Sequence, residues 1–223
     1  MSTAITRYRY EPERTGLLLV DPYNDFFSEG GKMWPFVKEV AEAVRLHDHL
    51  REILAVVRSA RIQVFVVPHH RWCREDATGW RHLNPDQIGA REMEVFGKDT
   101  WGGEWYPEFA PQPGDIVIQE HWAQNGFANT DLAVQLQQHG IENVICVGML
   151  ANSCIEATGR FAMELGYHVT LVTDATAAFS LDRMHAAHEL NGPTFAHAIV
   201  TTKTLIDLLR QSAAHPVQPA PSG

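Results

Sequence analysis

The apolar residues of this chain fall into short, unbroken runs rich in Val and Ile, with little alternation between apolar and polar positions. Runs of this kind are typical of strands that are buried on both faces, as in a parallel sheet. Strands are therefore predicted at residues 16–20, 63–67, 116–118, 143–147, 169–172 and 198–200.

Helical periodicity separates these runs. A long helix is predicted from Pro35 to Val57, where apolar side chains recur close to the helical period. A second helix is predicted between a Thr130 N-cap and Gly140, and a third begins near Cys154. The alternation of strands and helices predicts an α/β fold with a doubly wound, mostly parallel sheet and helices on both faces.

The length of 223 residues suits one domain, which we expect to span residues 1–212. The segment 213–223 is rich in Pro, Ala and Ser, which predicts a disordered tail. Residues 71–112 have no clear period and carry several Trp, Gly and Pro residues. They predict a long loop that forms either a lid or pocket wall, or an aromatic packing unit or oligomer contact.

The formal net charge is -9 and no basic run is longer than two residues, which argues against nucleic acid or an anionic membrane surface as a partner. No apolar stretch reaches the roughly 18–20 residues of a membrane span, and the N-terminus lacks the apolar segment of a signal peptide. Cys73, Cys146 and Cys154 form no CxxC pair and no zinc-ligand spacing. We therefore expect a cytoplasmic protein with free thiols and no cofactor.

Reactive side chains follow the carboxyl ends of four predicted strands. Asp21 follows the first strand, a His-His pair at 69–70 the second, and a Glu-His pair at 120–121 the third. Cys154 follows the fourth strand after a short turn. Because ligands of doubly wound sheets bind beyond the carboxyl ends of the strands, these residues are expected to face one crevice.

Cys154 is a candidate nucleophile because it opens a predicted helix. The unpaired N–H groups and partial positive charge of a helix start stabilise a thiolate and can hold an oxyanion. The alternative is a buried cysteine that acts as a small apolar residue. Asp21 is either its acid–base partner or a structural cap of the turn after the strand. The occurrence of both favours a nucleophile with a proton acceptor.

Three separate motifs resemble the isochorismatase-like cysteine hydrolase family. They are LVDPYNDF at 19–26, FANTDL at 127–132, and GMLANSC at 148–154 followed by EAT at 156–158. VTDA at 172–175 also fits, and the similarity runs from residue 14 to residue 210.

This resemblance implies a six-stranded parallel sheet, a homodimer or homotetramer, and a small-molecule substrate. The reaction it implies is hydrolysis of a C–N bond in an amide, urea or carbamoyl group. Asp21 would take the proton of Cys154, and the N–H groups of Leu150 and Cys154 would form an oxyanion hole beside a cis Met149–Leu150 peptide. The alternatives are vinyl-ether hydrolysis of isochorismate, which does not need the thiol, and a degenerate member that binds a ligand or serves as a scaffold.

The third catalytic residue of the family is a lysine that this chain lacks. Counting forward along the third strand places Glu120 at that position, and counting back from Phe127 places His121 there. Strand alternation favours Glu120, with His121 close by. Glu120 would then share a proton with Asp21, or His121 would supply a positive charge, or activity would be altered or lost.

The metal site of nicotinamidases in this family requires an Asp-x-His pair, and residues 61–63 read Arg-Ile-Gln. We therefore expect no metal and disfavour nicotinamidase activity. The catalytic residues are expected to be Cys154, Asp21 and Glu120. The expected substrate contacts are His121, Phe26, Asn24, His69, Trp72 and Phe127.

Overall fold

A computed structural model describes residues 9–214 and contains a six-stranded, wholly parallel sheet. The strand order is β3-β2-β1-β4-β5-β6, so the chain winds outward from the centre in both directions and the predicted doubly wound α/β fold is confirmed. The strands are β1 (Thr15–Val20), β2 (Gln63–Val67), β3 (Ile116–Val117), β4 (Asn143–Met149), β5 (His168–Ala177) and β6 (Ala198–Val200).

Helices cover both faces of the sheet. They are α1 (Asn24–Phe27), α2 (Trp34–Ala43), α3 (Leu46–Ser59), α4 (Pro85–Met93), α5 (Leu132–Gln138), α6 (Glu156–Glu164), α7 (Leu181–His185) and α8 (Thr202–Ala214). On β1, Leu17 and Leu19 enter the core beneath α2, α3 and α8. Leu18 and Val20 enter the opposite core, beneath α5 and α6. Strand alternation therefore divides one continuous apolar run between two cores.

The helix predicted from Pro35 to Val57 is two helices. Arg45 adopts a left-handed backbone with φ of 52° between α2 and α3. Both helices bury apolar side chains on the same face of the sheet, so the apolar spacing continues across the break. The apolar periodicity therefore predicted the buried face of both helices correctly, but it did not predict the turn at Arg45 that separates them.

The aromatic segment 71–112 contains α4 and a short 3₁₀ turn at Trp101–Gly103. The buried carboxylate of Asp25 fixes it by accepting hydrogen bonds from the backbone N–H groups of Lys32 (2.9 Å) and Phe96 (2.7 Å). Gly102 packs directly on this carboxylate, and a Cβ there would lie 2.3 Å from Oδ1 of Asp25. Hydrogen bonds to the buried carboxylate of Asp25 therefore hold this segment in place.

The carboxyl ends of β1 and β4 approach closely. Gly148 has φ of 109°, and a Cβ at this position would lie 2.2 Å from the carbonyl oxygen of Val20. Only glycine fits such a contact. Asp21, the next residue of the chain after Val20, itself has a positive φ of 54°. β1 and β4 thus end in close contact with each other, at the edge of the sheet where the polar side chains that follow them lie.

No helix within residues 9–214 is long and apolar enough to cross a membrane. Helix α8 extends to Ala214, and the part of the predicted tail from residue 215 onward lies outside the described residues.

Candidate active site

Four strand ends deliver the reactive side chains to one edge of the sheet. Asp21 follows β1 and donates its backbone N–H to the carbonyl oxygen of Val67 in β2 (3.1 Å). Beyond β2 and β3, His69 and His121 form a parallel bridge that prolongs the ladder. Cys154 follows β4 on a π-helical turn, Ala151–Ile155, that leads into α6. The sequence-predicted crevice is therefore formed.

Asp21, His121 and Cys154 form a buried cluster at this edge. The thiol sulfur, an imidazole nitrogen and a carboxylate oxygen lie within 4.8 Å of one another. Asp21 and His121 are fully buried, and Cys154 is 6% exposed. Oδ2 of Asp21 is buried and has no hydrogen-bond partner among residues 9–214. This oxygen is therefore available to accept the proton of the thiol, because catalytic hydrogen bonds are often long before substrate binds.

The hydrogen bonds of His121 define how many protons the cluster holds. Nδ1 lies 3.1 Å from the carbonyl oxygen of Ala123, and since a carbonyl only accepts, Nδ1 carries a proton. Nε2 lies 3.1 Å from Oδ1 of Asp21, a contact that requires one proton between the two atoms. The pair is therefore either an imidazolium with a carboxylate or an imidazole with a carboxylic acid.

The environment of Cys154 keeps its thiol protonated at rest. Burial raises the pKa of Cys154, and the neighbouring carboxylate of Asp21 raises it further. The Ser153 hydroxyl and the Leu150 backbone lower it by less. The expectation of a thiolate at the helix start is thus wrong for the resting protein, because desolvation outweighs the local dipoles. Attack by Cys154 requires Asp21 to remove the proton during the reaction.

The backbone before Cys154 has the expected unusual geometry. The Met149–Leu150 peptide is cis, as the resemblance implied. The carbonyl oxygen of Leu150 accepts hydrogen bonds from the N–H groups of Ser153 and Ile155, both at 3.1 Å. These bonds hold the turn that carries the N–H groups of Leu150 and Cys154, which are the expected oxyanion-hole donors.

Glu120 does not join the cluster. Its carboxylate accepts hydrogen bonds from Nε of Arg71 (2.6 Å) and the Arg71 backbone (3.1 Å), and Nδ1 of His70 lies 3.2 Å away. Burial raises the pKa of Glu120, but the bonds from His70 and Arg71 outweigh it and lower the pKa to about 2. The prediction that Glu120 shares a proton with Asp21 is therefore wrong. His121 is the residue that contacts Asp21.

Strand alternation misplaced Glu120 because β3 ends at Val117, before residues 120 and 121. Beyond that point the backbone N–H of His121 bonds the carbonyl oxygen of Pro68 (2.9 Å), and the N–H of His70 bonds the carbonyl of His121 (2.8 Å). This local bridge, and not an extended strand, orients His121 toward Asp21.

His69 lines the cavity as a neutral imidazole. Burial and the neighbouring His121 lower the pKa of His69 to about 4. Its Nδ1 lies 2.9 Å from the carbonyl oxygen of His70 and therefore carries the proton. Nε2 of His69 is left as a hydrogen-bond acceptor.

A cavity of about 340 Å³ opens onto Asp21 and Cys154. Its walls are mainly apolar, as in most small-molecule sites. The sequence prediction placed Phe26, His69, Trp72 and His121 there. The first three line the cavity, whereas His121 is fully buried, is not among the lining residues and contacts Asp21. Further lining residues escaped prediction, namely Met33, Phe96, Trp122, Asn152, Phe179 and Arg183, together with much of α4.

Helix α4 had a readable signal in the sequence. Asn84 accepts a hydrogen bond from the backbone N–H of Gln87, whose side chain bonds back to the Asn84 N–H, and Pro85 occupies the first turn. An Asn-Pro-x-Gln sequence is therefore a capping box with proline at the first helical position. Its recognition would have predicted a helical wall within segment 71–112.

Asn24 and Phe127 are packing residues and do not line this cavity. Asn24 is buried and donates from Nδ2 to the carbonyl oxygen of Trp101 (2.9 Å), which holds the aromatic segment against α1. Phe127 is buried among Phe161 and Tyr167 on the α6 side of the sheet. The motifs that contain them are thus partly structural.

Comparison with known proteins agrees with this architecture. The model of the isochorismatase domain matches residues 15–203. The chain is 27% identical over 214 residues to ureidoacrylate amidohydrolase RutB of Agrobacterium fabrum, covering 91% of this chain and 93% of that protein.

Solved structures give the same result. A cysteine hydrolase from Pseudomonas syringae pv. phaseolicola has a TM-score of 0.79 at 22% identity, covering 95% of this chain and all of that one. An isochorismatase-like hydrolase from Alkaliphilus metalliredigens has a TM-score of 0.68 at 25% identity, covering 87% and 98% of the two chains. The extent of the domain match, supported by this fold, shows that the chain belongs to the isochorismatase family.

Proposed function

We propose that this protein hydrolyses a non-peptide C–N bond of a small amide, urea or carbamoyl compound through a covalent intermediate on Cys154. The observation that carries the proposal is the buried cluster of Asp21, His121 and Cys154 at the end of a cavity. Similarity to a ureidoacrylate amidohydrolase over nearly the whole chain supports the same class of reaction.

The reaction begins with transfer of the thiol proton. The sulfur of Cys154 attacks the substrate carbonyl carbon while Oδ2 of Asp21 takes the proton, and the N–H groups of Leu150 and Cys154 hold the oxyanion. The C–N bond then breaks, and Asp21 returns the proton to the leaving amine. Water then attacks the acyl group on Cys154 and gives one proton to Asp21. As the bond to sulfur breaks and the acid leaves, Asp21 passes that proton to the Cys154 sulfur, which restores the free thiol.

In this proposal the positive charge of His121 stabilises the negative charge that develops during the reaction. When Asp21 accepts the thiol proton, the proton already shared with His121 stays on Nε2, so an imidazolium remains beside the developing negative charge. Its Nδ1 bond to the carbonyl of Ala123 holds the ring in this orientation. His121 therefore supplies the positive charge for which the family uses lysine.

The unpaired polar atoms of the cavity indicate what the substrate offers. Oδ2 of Asp21 and Oδ1 of Asn152 are buried acceptors without a partner in residues 9–214, and Nε1 of Trp72 is a buried donor in the same state. Leaving such atoms unpaired costs about 1–3 kcal/mol each. A carbamoyl or ureido end, with N–H donors and one carbonyl oxygen, matches two acceptors and one donor.

Trapping the intermediate tests the proposal. The protein would be mixed with a panel of N-carbamoyl, ureido and simple amide compounds, ammonia or amine release would be followed, and intact mass would be measured after acid quenching. We expect an acyl or carbamoyl adduct on Cys154 with the active compounds, absent from Cys154→Ala. Turnover of these compounds that survives in Cys154→Ala would refute the thiol mechanism. No turnover with any member of the panel would favour vinyl-ether hydrolysis or a ligand-binding role.

A further inference from the structure

The cluster at the end of the cavity has the composition of a metal site. Carboxylate, imidazole and thiolate are the side-chain ligands that zinc takes in proteins, and Asp21, His121 and Cys154 supply one of each. Most catalytic zinc sites have three protein ligands and leave a fourth position to water or substrate. Here the cavity borders Asp21 and Cys154, so an ion has a route in and the fourth position has space.

The distances are close to those of a tetrahedral site. Two ligand atoms about 2.1 Å from a zinc ion lie about 3.4 Å apart. Nε2 of His121 and Oδ1 of Asp21 are already 3.1 Å apart. The sulfur of Cys154 lies within 4.8 Å of one imidazole nitrogen of His121 and one carboxylate oxygen of Asp21. A side-chain movement of about 1 Å at Cys154 brings the sulfur to a zinc–sulfur bonding distance.

Two further observations point to a ligand at this place. His121 donates its Nδ1 proton to the carbonyl oxygen of Ala123, which is the outer hydrogen bond that typically orients a metal-binding histidine and leaves Nε2 free to bind. Asp21 lines the cavity, and its Oδ2 is buried and has no partner within the described part of the chain. A cation bound by Oδ2, alone or together with Oδ1, would satisfy it.

We propose that Asp21, His121 and Cys154 bind a divalent cation of the zinc class through a carboxylate oxygen, Nε2 and the thiolate. The histidine makes this possible, because a protonated lysine at the same place has no lone pair to offer. Binding displaces two protons to solvent, one from the thiol and one shared by Asp21 and His121, so the charge of the ion is balanced. A metal-bound thiolate is unavailable for attack on a carbonyl, a consequence that rests on the proposed function.

Protection of Cys154 from alkylation tests the site without a substrate. The reduced full-length protein would be titrated with zinc chloride in a weakly chelating buffer, and the alkylation rates of Cys154 and Cys73 would be measured by peptide mass spectrometry. We expect zinc to slow the alkylation of Cys154 by about tenfold or more, with recovery on adding EDTA. Cys73 is half-buried and lies outside the cluster, so its rate should not change.

His121→Lys is the matched variant, because it keeps a cation and removes the ligand. It should lose about 100-fold or more in zinc affinity. Cobalt(II) gives an independent readout: wild type should develop a thiolate-to-cobalt absorption band that Cys154→Ser lacks. Absence of protection in wild type, equal protection in folded His121→Lys, or parallel slowing at Cys73 would each overturn the proposal. If His121→Lys fails to fold, the cobalt band in wild type and Cys154→Ser decides alone. None of these outcomes depends on amide turnover.

Discussion

Nε2 of His121 lies 3.1 Å from Oδ1 of Asp21, and both side chains are fully buried. A buried carboxylate is costly unless it is paired, and this contact supplies the pairing. In the proposed mechanism, this contact gives Asp21 a second role besides accepting the proton of Cys154. The carboxylate links the proposed nucleophile to the only positively polarised side chain in the three-residue cluster.

Removing the nucleophile or its partner should abolish turnover and leave the fold intact. We expect Cys154→Ala to lose all acyl-enzyme and Asp21→Asn to lose about 10²–10⁴ in kcat/KM, since Asn cannot carry the thiol proton. Steady-state kinetics with circular dichroism as the folding control checks this. A Cys146→Ala control should stay active, because Cys146 is buried within β4 and is not part of the cluster of Asp21, His121 and Cys154. Wild-type rates in Asp21→Asn would contradict the proposed proton path.

Substituting His121 by lysine or glutamine separates the contribution of its positive charge from that of the imidazole ring. His121→Gln should lower kcat by about 100-fold, as loss of one electrostatic contact to the developing charge does in other enzymes. His121→Lys should retain more activity than His121→Gln, because lysine keeps a positive charge beside Asp21. Full pH–rate profiles of the three proteins are the measurement. Equal activity of the Lys and Gln variants would show that positive charge is not the contribution of His121.

Glu120 should matter for stability and little for chemistry. Because its folded pKa of about 2 lies below the ordinary value, its contribution is present above the unfolded pKa and is lost as pH falls toward 2. We expect Glu120→Gln to lower the free energy of unfolding by about 1–3 kcal/mol at neutral pH. Urea unfolding at neutral pH and at about pH 3 checks the sign, since the difference between the two proteins should shrink in acid. A large loss of kcat with unchanged stability would return Glu120 to the catalytic set.

The close packing of Gly102 on the Asp25 carboxylate predicts that the aromatic segment does not tolerate a larger residue at position 102. Gly102→Ala places a methyl group 2.3 Å from the Asp25 carboxylate and should destabilise the protein by about 2–4 kcal/mol. Gly89→Ala in α4 is the matched control: its Cβ meets nothing within 4 Å, and alanine should stabilise the helix by about 0.5–1 kcal/mol. Thermal unfolding of the two variants decides. An unaffected melting temperature in Gly102→Ala would mean that the segment adjusts around Asp25.

Sequence reasoning predicted the sheet well because both faces of these strands are buried, which produces unbroken apolar runs at β2 and β6 with bounds that match the structure. It placed Asp21 and Cys154 at one edge for a topological reason, since parallel strands end on the same side. It failed at Glu120, where the outcome depends on how the chain turns after a two-residue strand. It did not suggest the proposed cation site, because Asp21 and His121 are 100 residues apart and no local ligand spacing exists.

The central position of β1 and β4 has a kinetic consequence. β1 pairs with β2 and β4, and β4 pairs with β5, so the edge that carries Asp21 and Cys154 exists only after distant parts of the chain have met. High contact order of this kind slows folding, because loop-closure entropy is lost before the contacts stabilise the chain. During synthesis Cys154 emerges long after Asp21, so the two side chains meet only when β4 pairs with β1. The cluster of Asp21, His121 and Cys154 therefore forms only once the central strands have assembled, and its formation marks the completion of this part of the sheet.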